Sequence, residues 1–277
     1  MNLFDETCFE CSKVITNKYS TSFSTGIKAF GKRFRYPIYA IYGFVRYADE
    51  IVDTFHDYDK QQLITAFRAE TFVAIRQKIS LNPVLHSFQQ VVNRYGIEDE
   101  LIDAFLRSME MDLDITAYDE GGYKEYIYGS AEVVGLMCLR VFCEKDEELY
   151  QRLLPMARSL GSAFQKINFL RDVKADFEER GRTYFPSIDF NRFTEEDKLQ
   201  IEADIKKDFD DAFEGIKQLP KGTRLGVYIA YVYYRQLFKK ISRTPANVIL
   251  QKRIRVSDPH KMALYCKAIL HQKLRVI

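Results

Sequence analysis

The chain has no tryptophan, only seven prolines and thirteen glycines among 277 residues, and no excess of charge of either sign. Each scarcity excludes something. Repeated strands need turn residues at every hairpin, so their shortage argues against a β architecture and suits a helical one. With 41 basic against 39 acidic residues the formal net charge is +2, which excludes recruitment of nucleic acid by bulk charge; any basic patch is local. Charged residues make up 29% and apolar ones 47%, the composition of a folded chain rather than a disordered one. Five cysteines, Cys8, Cys11, Cys138, Cys143 and Cys266, are odd in number and read as reduced thiols of a cytosolic protein. Cys8 and Cys11 form a CxxC, but no second CxxC or histidine pair completes a zinc site, so they read as packing thiols. The opening Met-Asn-Leu-Phe-Asp-Glu-Thr carries acids where a secretory signal carries basic residues, so no export is expected. The apolar run from Val133 to Cys143 is short and contains Arg140. No segment reaches the roughly 20 residues a spanning helix needs.

What is present is helical periodicity. Apolar residues recur at three- and four-residue spacing, as in Leu63, Phe67, Ile75 and Ile79, or Leu101, Phe105 and Met109. Breaks are expected at Gly26 to Arg33, Asn82-Pro83, Tyr95-Gly96, Asp119 to Gly122, Pro155, Gly181 to Phe193, Pro220-Lys-Gly222 and Asp258-Pro259, giving about eight to ten helices. Thr194-Glu-Glu-Asp197 reads as an N-terminal cap. Without a linker, composition shift or tandem repeat, residues 1–277 read as one all-α domain.

Two stretches carry the chemistry. Asp49 and Asp53 stand four residues apart among Ile41, Phe44, Val45, Ile51 and Val52; Asp172 and Asp176 repeat the spacing after Ile167, Phe169 and Leu170. On a helix, positions four apart share a face, so each pair projects its oxygens to one side. Asn168 lies one further step before Asp172, and Gln165 three before Asn168, which extends that face with amide oxygens. Magnesium takes hard oxygen ligands, keeps several waters, and is usually held by one or two carboxylates plus substrate phosphate. Arg46 and Arg171 accompany the two acidic pairs and can bind phosphate bidentately. A single acid pair is more often a solvated face than a site; two pairs with matched arginines favour the site. The dense charges at Lys206, Lys207, Asp208, Asp210 and Asp211 have no such apolar context and read as a solvated face.

From about Tyr19 to about Arg255 the chain resembles the head-to-head trans-isoprenyl diphosphate synthases, the squalene, dehydrosqualene and phytoene synthases. The resemblance rests on ordered blocks: Ser20-Thr-Ser22-Phe23, Ala40 to Asp53, Met109-Glu-Met-Asp112-Leu, Tyr126-Ile-Tyr128-Gly, Gln165 to Asp176, and Arg182-Thr-Tyr184-Phe-Pro186. It implies an all-α isoprenoid-synthase fold with a central cavity, across which Asp49, Asp53, Asn168, Asp172 and Asp176 hold magnesium, with manganese as its substitute. It further implies that Tyr19, Ser20, Thr21, Ser22, Tyr42, Arg46, Gln165, Arg171, Tyr233 and Arg253 contact or orient diphosphate, and that Tyr128 and Tyr184 border the reacting carbons. The chain departs from the pattern in three places. Glu50 follows Asp49 where many relatives have a second aspartate, Glu132 follows Ala131 where a glycine is usual, and the leucine-proline step after the serine block is missing.

Within the family, the blocks Met109 to Asp114 and Arg182 to Pro186 look most like bacterial phytoene synthases, which join two geranylgeranyl diphosphates. Squalene or dehydrosqualene synthesis from farnesyl diphosphate is the alternative, and a non-catalytic scaffold of the same fold a remote third. The chain has no Gly-rich dinucleotide fingerprint, so no nicotinamide cofactor is expected. Lys252-Arg-Ile-Arg255 through Lys261, Lys267, Lys273 and Arg275 mixes basic and apolar residues. It reads either as a peripheral helix at the inner face of the cell membrane or as a last amphipathic helix with a solvated face. A downstream carotenoid desaturase is the expected protein partner.

Overall fold

Helices start where a side chain can take up the backbone amides that the first turn leaves unbonded. Asn2 and Asp5 form a reciprocal capping box at the head of α1 (Leu3–Tyr19). Ser20 closes α1 and opens α2 (Thr21–Lys28), its hydroxyl accepting from the Phe23 amide at 3.1 Å. Asn82 caps α5 (Pro83–Tyr95), with proline at the first turn and Gly96 beyond the last residue at φ 68°, the left-handed geometry that glycine adopts without strain. Thr194 and Asp197 cap α10 (Glu195–Gln218) reciprocally, as the sequence indicates.

The computed structural model describes residues 2–114, 118–174, 184–186, 188 and 190–274, with the backbone alone at 191. The expectations that fall on Asp176, Arg182 and Arg275 lie outside these residues. Among the described residues the chain is all-α, with thirteen helices and no strand. The remaining elements are α3 (Lys32–Thr54), α4 (Lys60–Gln77), α6 (Asp99–Asp114), α7 (Glu120–Ile127), α8 (Val133–Cys143), α9 (Glu147–Lys174), α11 (Arg224–Ser242), α12 (Ala246–Ile249) and α13 (Asp258–Lys273). α3 packs on α1, α5 and α8, while α9 packs on α8, α10 and α11. α3 carries Asp49 and Asp53, and α9 carries Asn168 and Asp172.

One expected break and one expected helix length are corrected. Pro155 lies inside α9. An interior proline costs a helix roughly 3 kcal/mol, and here the packing of α9 on three neighbouring helices outweighs that. Secondly, α7 and α8 are one helical run, joined through a π-helical turn, Tyr128–Glu132. The combined 24 residues, Glu120–Cys143, are by length and composition apolar enough to cross a membrane, contrary to the reading of Val133 to Cys143 alone. The run packs on α3, α6 and α9 as a core helix does, with 56% of its most apolar window buried.

The turn fits because its neighbours come very close. A Cβ on Gly129 would lie 2.5 Å from the Ala104 carbonyl oxygen, and one on Gly161 would lie 2.8 Å from that of Ala131. Backbones therefore touch at α6, the π turn and α9, and any side chain at these two positions would force the helices apart.

Candidate active site

A cavity of about 370 Å³ lies between α2, α3, α8, α9, α10 and α11. One end is polar, formed by Tyr42 and Asp49 from α3, Gln165 and Asn168 from α9, and Tyr234 from α11. Away from it the wall is apolar, with Phe30, Leu139, Phe142, Leu153 and Leu219. The thiol of Cys138 also faces the cavity, and burial pushes its pKa up to about 12, so it remains protonated and unreactive. All five cysteines are free, in agreement with the sequence reading.

On α3 the i, i+4 geometry is realised, but its charges are unevenly satisfied. Asp49 is about one-third open and lines the cavity. Burial pushes its carboxyl up to about 7, and the carboxylates of Asp53, Asp112 and Glu50 add to the rise. Arg46 opposes the rise from 4.0 Å more strongly than any one of these carboxylates adds to it, without outweighing burial. Arg46 donates through Nε and Nη2 to Glu50, the Nε bond being 3.1 Å, and lies over the Tyr19 ring at 4.4 Å. Burial alone would raise the Glu50 carboxyl; the hydrogen bonds from Arg46 and Thr54 reverse this and hold it below the usual range. Thus the glutamate that replaces a second aspartate serves as the anchor of Arg46.

On α9 the arrangement is the opposite. Arg171 donates to both oxygens of Asp172, at 3.1 Å from Nε and 2.6 Å from Nη2, and Arg253 reaches the same carboxylate at 2.7 Å from Nε. Two guanidinium groups therefore bracket Asp172. Asn168 receives a hydrogen bond from the Tyr234 phenol at 3.3 Å and donates to Gln165 at 3.4 Å. Tyr234 in turn stacks on Phe164 at 3.9 Å, which fixes an aromatic face on the cavity wall. Ser20 hydrogen-bonds Tyr42, whose phenol burial pushes upward.

The other named residues take distinct places. Thr21 is exposed and Ser22 half-buried in the first turn of α2. Tyr233 is set edge-on to Tyr234 at 5.4 Å, and Tyr234 is the member of the doublet that lines the cavity. Helical phase could have distinguished the two, since Tyr234 follows the cavity residues Val227 and Ala230 at three- and four-residue steps. Tyr128 and Tyr184 do not line the cavity. Tyr128 lies under Arg158 at 5.1 Å, which is paired with Glu132, the residue standing where a glycine is usual. Tyr184 stacks on Phe169 at 4.0 Å within a cluster that includes Tyr118 and Tyr126. In that cluster the Tyr126 phenol donates to buried Asp112 at 2.8 Å. The Asp112 charge acts on Asp49, a link from α6 that no spacing in the sequence revealed.

One further reading is corrected. Asp208 does not belong to a solvated face, since it accepts from Ser162 at 2.9 Å and from buried Lys166 at 2.7 Å. Lys206 and Asp210 do form an exposed pair.

Among the described residues no three His, Cys, Asp or Glu side chains converge closely enough to hold a metal ion by themselves. The donor set nonetheless fits magnesium: hard oxygens on two helices, with a half-buried carboxyl at Asp49 to which Arg46 comes no nearer than 4.0 Å.

A profile of squalene/phytoene synthases matches residues 16–260. The phytoene synthase of Arthrospira platensis is 27% identical over 97% of this chain and 94% of its own length. The presqualene diphosphate synthase of Rhodopseudomonas palustris is 26% identical over 84% and 79%. A crystal structure of a dehydrosqualene synthase superposes with a TM-score of 0.83 at 21% identity, covering 97% of this chain and 98% of that one, which establishes the shared all-α isoprenoid-synthase fold. The chain belongs to the squalene/phytoene synthase family, whose members are head-to-head prenyltransferases.

Proposed function

We propose that the chain is a phytoene synthase of carotenoid biosynthesis, joining two geranylgeranyl diphosphates head to head through a cyclopropyl diphosphate, with residues 1–277 acting as one catalytic domain. The observation that carries this reading is the cavity itself, polar at one end and apolar in its depth. Its lining includes five glycines, Gly26, Gly135, Gly161, Gly215 and Gly226, and four alanines, Ala131, Ala157, Ala212 and Ala230. The glycines let the walling helices approach closely, Gly161 against Ala131 and Gly215 against Met156, and the apolar depth of the cavity suits long prenyl chains. Phytoene synthases among the relatives, including that of Arthrospira platensis, support the same length.

Asp49, Asp53, Asn168, Asp172 and Asp176 would hold magnesium, which supplies Lewis acidity toward the diphosphate when bound. Arg46 and Arg171 would bind and orient the diphosphate and neutralise charge as it leaves. The apolar walls exclude water from the cationic carbons, and the Phe164 and Tyr234 rings offer π faces that steady positive charge. The proposal includes a cytoplasmic enzyme peripheral to the membrane that passes its oily product to a desaturase. Exposed Met262, Leu270 and Leu274 beside Lys267 and Lys273 support such a contact.

The test is incubation of purified protein with magnesium and a mixture of farnesyl and geranylgeranyl diphosphates, followed by mass analysis. A forty-carbon hydrocarbon with a central conjugated triene is expected. A thirty-carbon product would replace the substrate assignment with farnesyl diphosphate, and no product from either would overturn the catalytic reading.

A further inference from the structure

A second cavity, of about 310 Å³, lies outside the active site where the end of α11 meets the start of α13. Its walls include Lys239, Lys240, Arg243 and His260, and no carboxylate. Tyr234, on the wall of the first cavity, and Arg243 belong to α11 and its C-cap. Nine residues separate them, about 14 Å along the axis. The two cavities share no lining residue.

The charge here is unusual for this chain. Three permanent cations, Lys239, Lys240 and Arg243, border one cleft in a protein whose formal net charge is only +2. The side chains of Lys239, Arg243 and His260 make no hydrogen bond or ion pair with any described residue. Lys240 donates to the Arg255 carbonyl at 2.5 Å and has further N–H groups to offer. The nearby acids are already engaged: Asp258 by Lys261, and Glu195 and Glu202 by Lys198. Like charges gathered in a concave site raise the local potential and draw in an anion.

Two further features suit an oxyanion. Ser257, the N-cap of α13, lines the cleft, and its hydroxyl makes no capping bond. It stands at the N-terminus of a 16-residue helix, where unbonded amides and the helix dipole favour negative charge. Thr244 and Gln236 add neutral hydrogen-bonding groups. A carboxylate brings one negative charge, whereas a phosphate group brings about −1.5 to −2 and three acceptor oxygens, a better match to three cations and an imidazole.

The geometry points to a second anion site that binds a phosphate group, supplied either as a free phosphate or as the headgroup of an anionic phospholipid. The site is independent of the prenyl-transfer reading. It is joined to the active site by one loop, however, because Lys240 holds the carbonyl of Arg255 while Arg253, two residues earlier, holds Asp172.

His260 gives a direct probe, since the chain has only four histidines. Imidazole carbon–proton NMR spectra of the full chain are recorded in EDTA at constant ionic strength during titration with inorganic phosphate. The His260 signal is expected to move saturably while those of His56, His86 and His271 stay in place. Lys239→Gln with Arg243→Gln should weaken the midpoint by about tenfold or more, and Lys239→Arg with Arg243→Lys should largely restore it. In parallel, wild type and the glutamine variant are sedimented with phosphatidylcholine vesicles with and without phosphatidylglycerol. Saturation by free phosphate identifies a soluble ligand. Binding only to phosphatidylglycerol vesicles, lost in the glutamine variant, identifies a headgroup. If the His260 signal does not move with phosphate and phosphatidylglycerol vesicles do not sediment the protein, or if the glutamine variant binds as wild type does, the site does not exist.

Discussion

The two acidic motifs share a spacing but not an electrostatic state. On α3, Asp49 faces the cavity without a committed cation, because Arg46 is bound by Glu50, and its carboxyl rises to about 7. On α9, Asp172 is gripped by Arg171 and Arg253. A metal-binding sequence pattern thus tells where the oxygens are, while the neighbours decide how each one is kept before any ligand arrives. One half of the site holds its proton up to about pH 7, and the other is paired with arginine.

The largest effect expected is on turnover. Asp49→Asn and Asp172→Asn should each reduce kcat/KM by about 10³-fold or more, as loss of charge stabilisation in a dry site does; prenyl diphosphate consumption under magnesium measures it. A small loss in either variant would assign that helix a lesser part.

Stability should separate the same two variants in opposite directions. Asp172→Asn leaves two guanidinium groups with weaker partners and should cost about 1–3 kcal/mol. Asp49→Asn removes a carboxyl that folding forces into an unfavourable state and should stabilise the metal-free protein by ~1 kcal/mol, allowing for screening by water in the cavity. For a chain this long that is roughly a 2–4 °C rise in Tm. Thermal melts in EDTA at neutral pH give both signs, and equal shifts would break the contrast.

The pH dependence follows from the raised value. Between the ordinary carboxylate range and about 7, the unfolded chain has lost the Asp49 proton while the folded protein keeps it. The folded state binds more protons, so this group's contribution to stability falls as pH rises through that window and levels off above it. Urea melts in EDTA at pH 5 and pH 7 should show the fall in wild type and its absence in Asp49→Asn.

Smaller effects should come from the arginine anchors. Arg253→Gln removes a half-exposed partner of Asp172 and should raise KM for prenyl diphosphate by about tenfold or less, with kcat changed little. Glu50→Asp keeps the carboxylate but shortens the reach to Arg46; a change of roughly two- to fivefold in KM is expected. A larger effect from Glu50→Asp than from Arg253→Gln would mean that the α3 anchor, rather than the α9 clamp, governs substrate affinity.

Much of this is local and was therefore legible. Helix periodicity, the Thr194–Asp197 cap, the Asn82-Pro83 start and the Gly96 stop are encoded within a few residues of one another, as is the i, i+4 geometry of Asp49 and Asp53. Features made by chain crossings were not legible. Arg253 meets Asp172 across 81 residues and Tyr234 meets Asn168 across 66, and no spacing rule links such positions. Pro155 and Asp208 were misread for the same reason: the packing of α9 against α10 carries the proline through and half-buries the aspartate against Lys166 and Ser162.

The π turn at Tyr128–Glu132 makes α7 and α8 two phases of a single helix. Tyr126 on one side is aimed at Asp112, and Val134 and Cys138 on the other at the cavity. Because each helical residue adds about 100° of rotation, removing one residue from the turn would let ordinary α geometry resume and swing Tyr126 a quarter to a third of a revolution from its acid. This segment therefore tolerates exchange of side chains far better than change of length, and a family chain lacking one residue here would need a different partner for its buried aspartate.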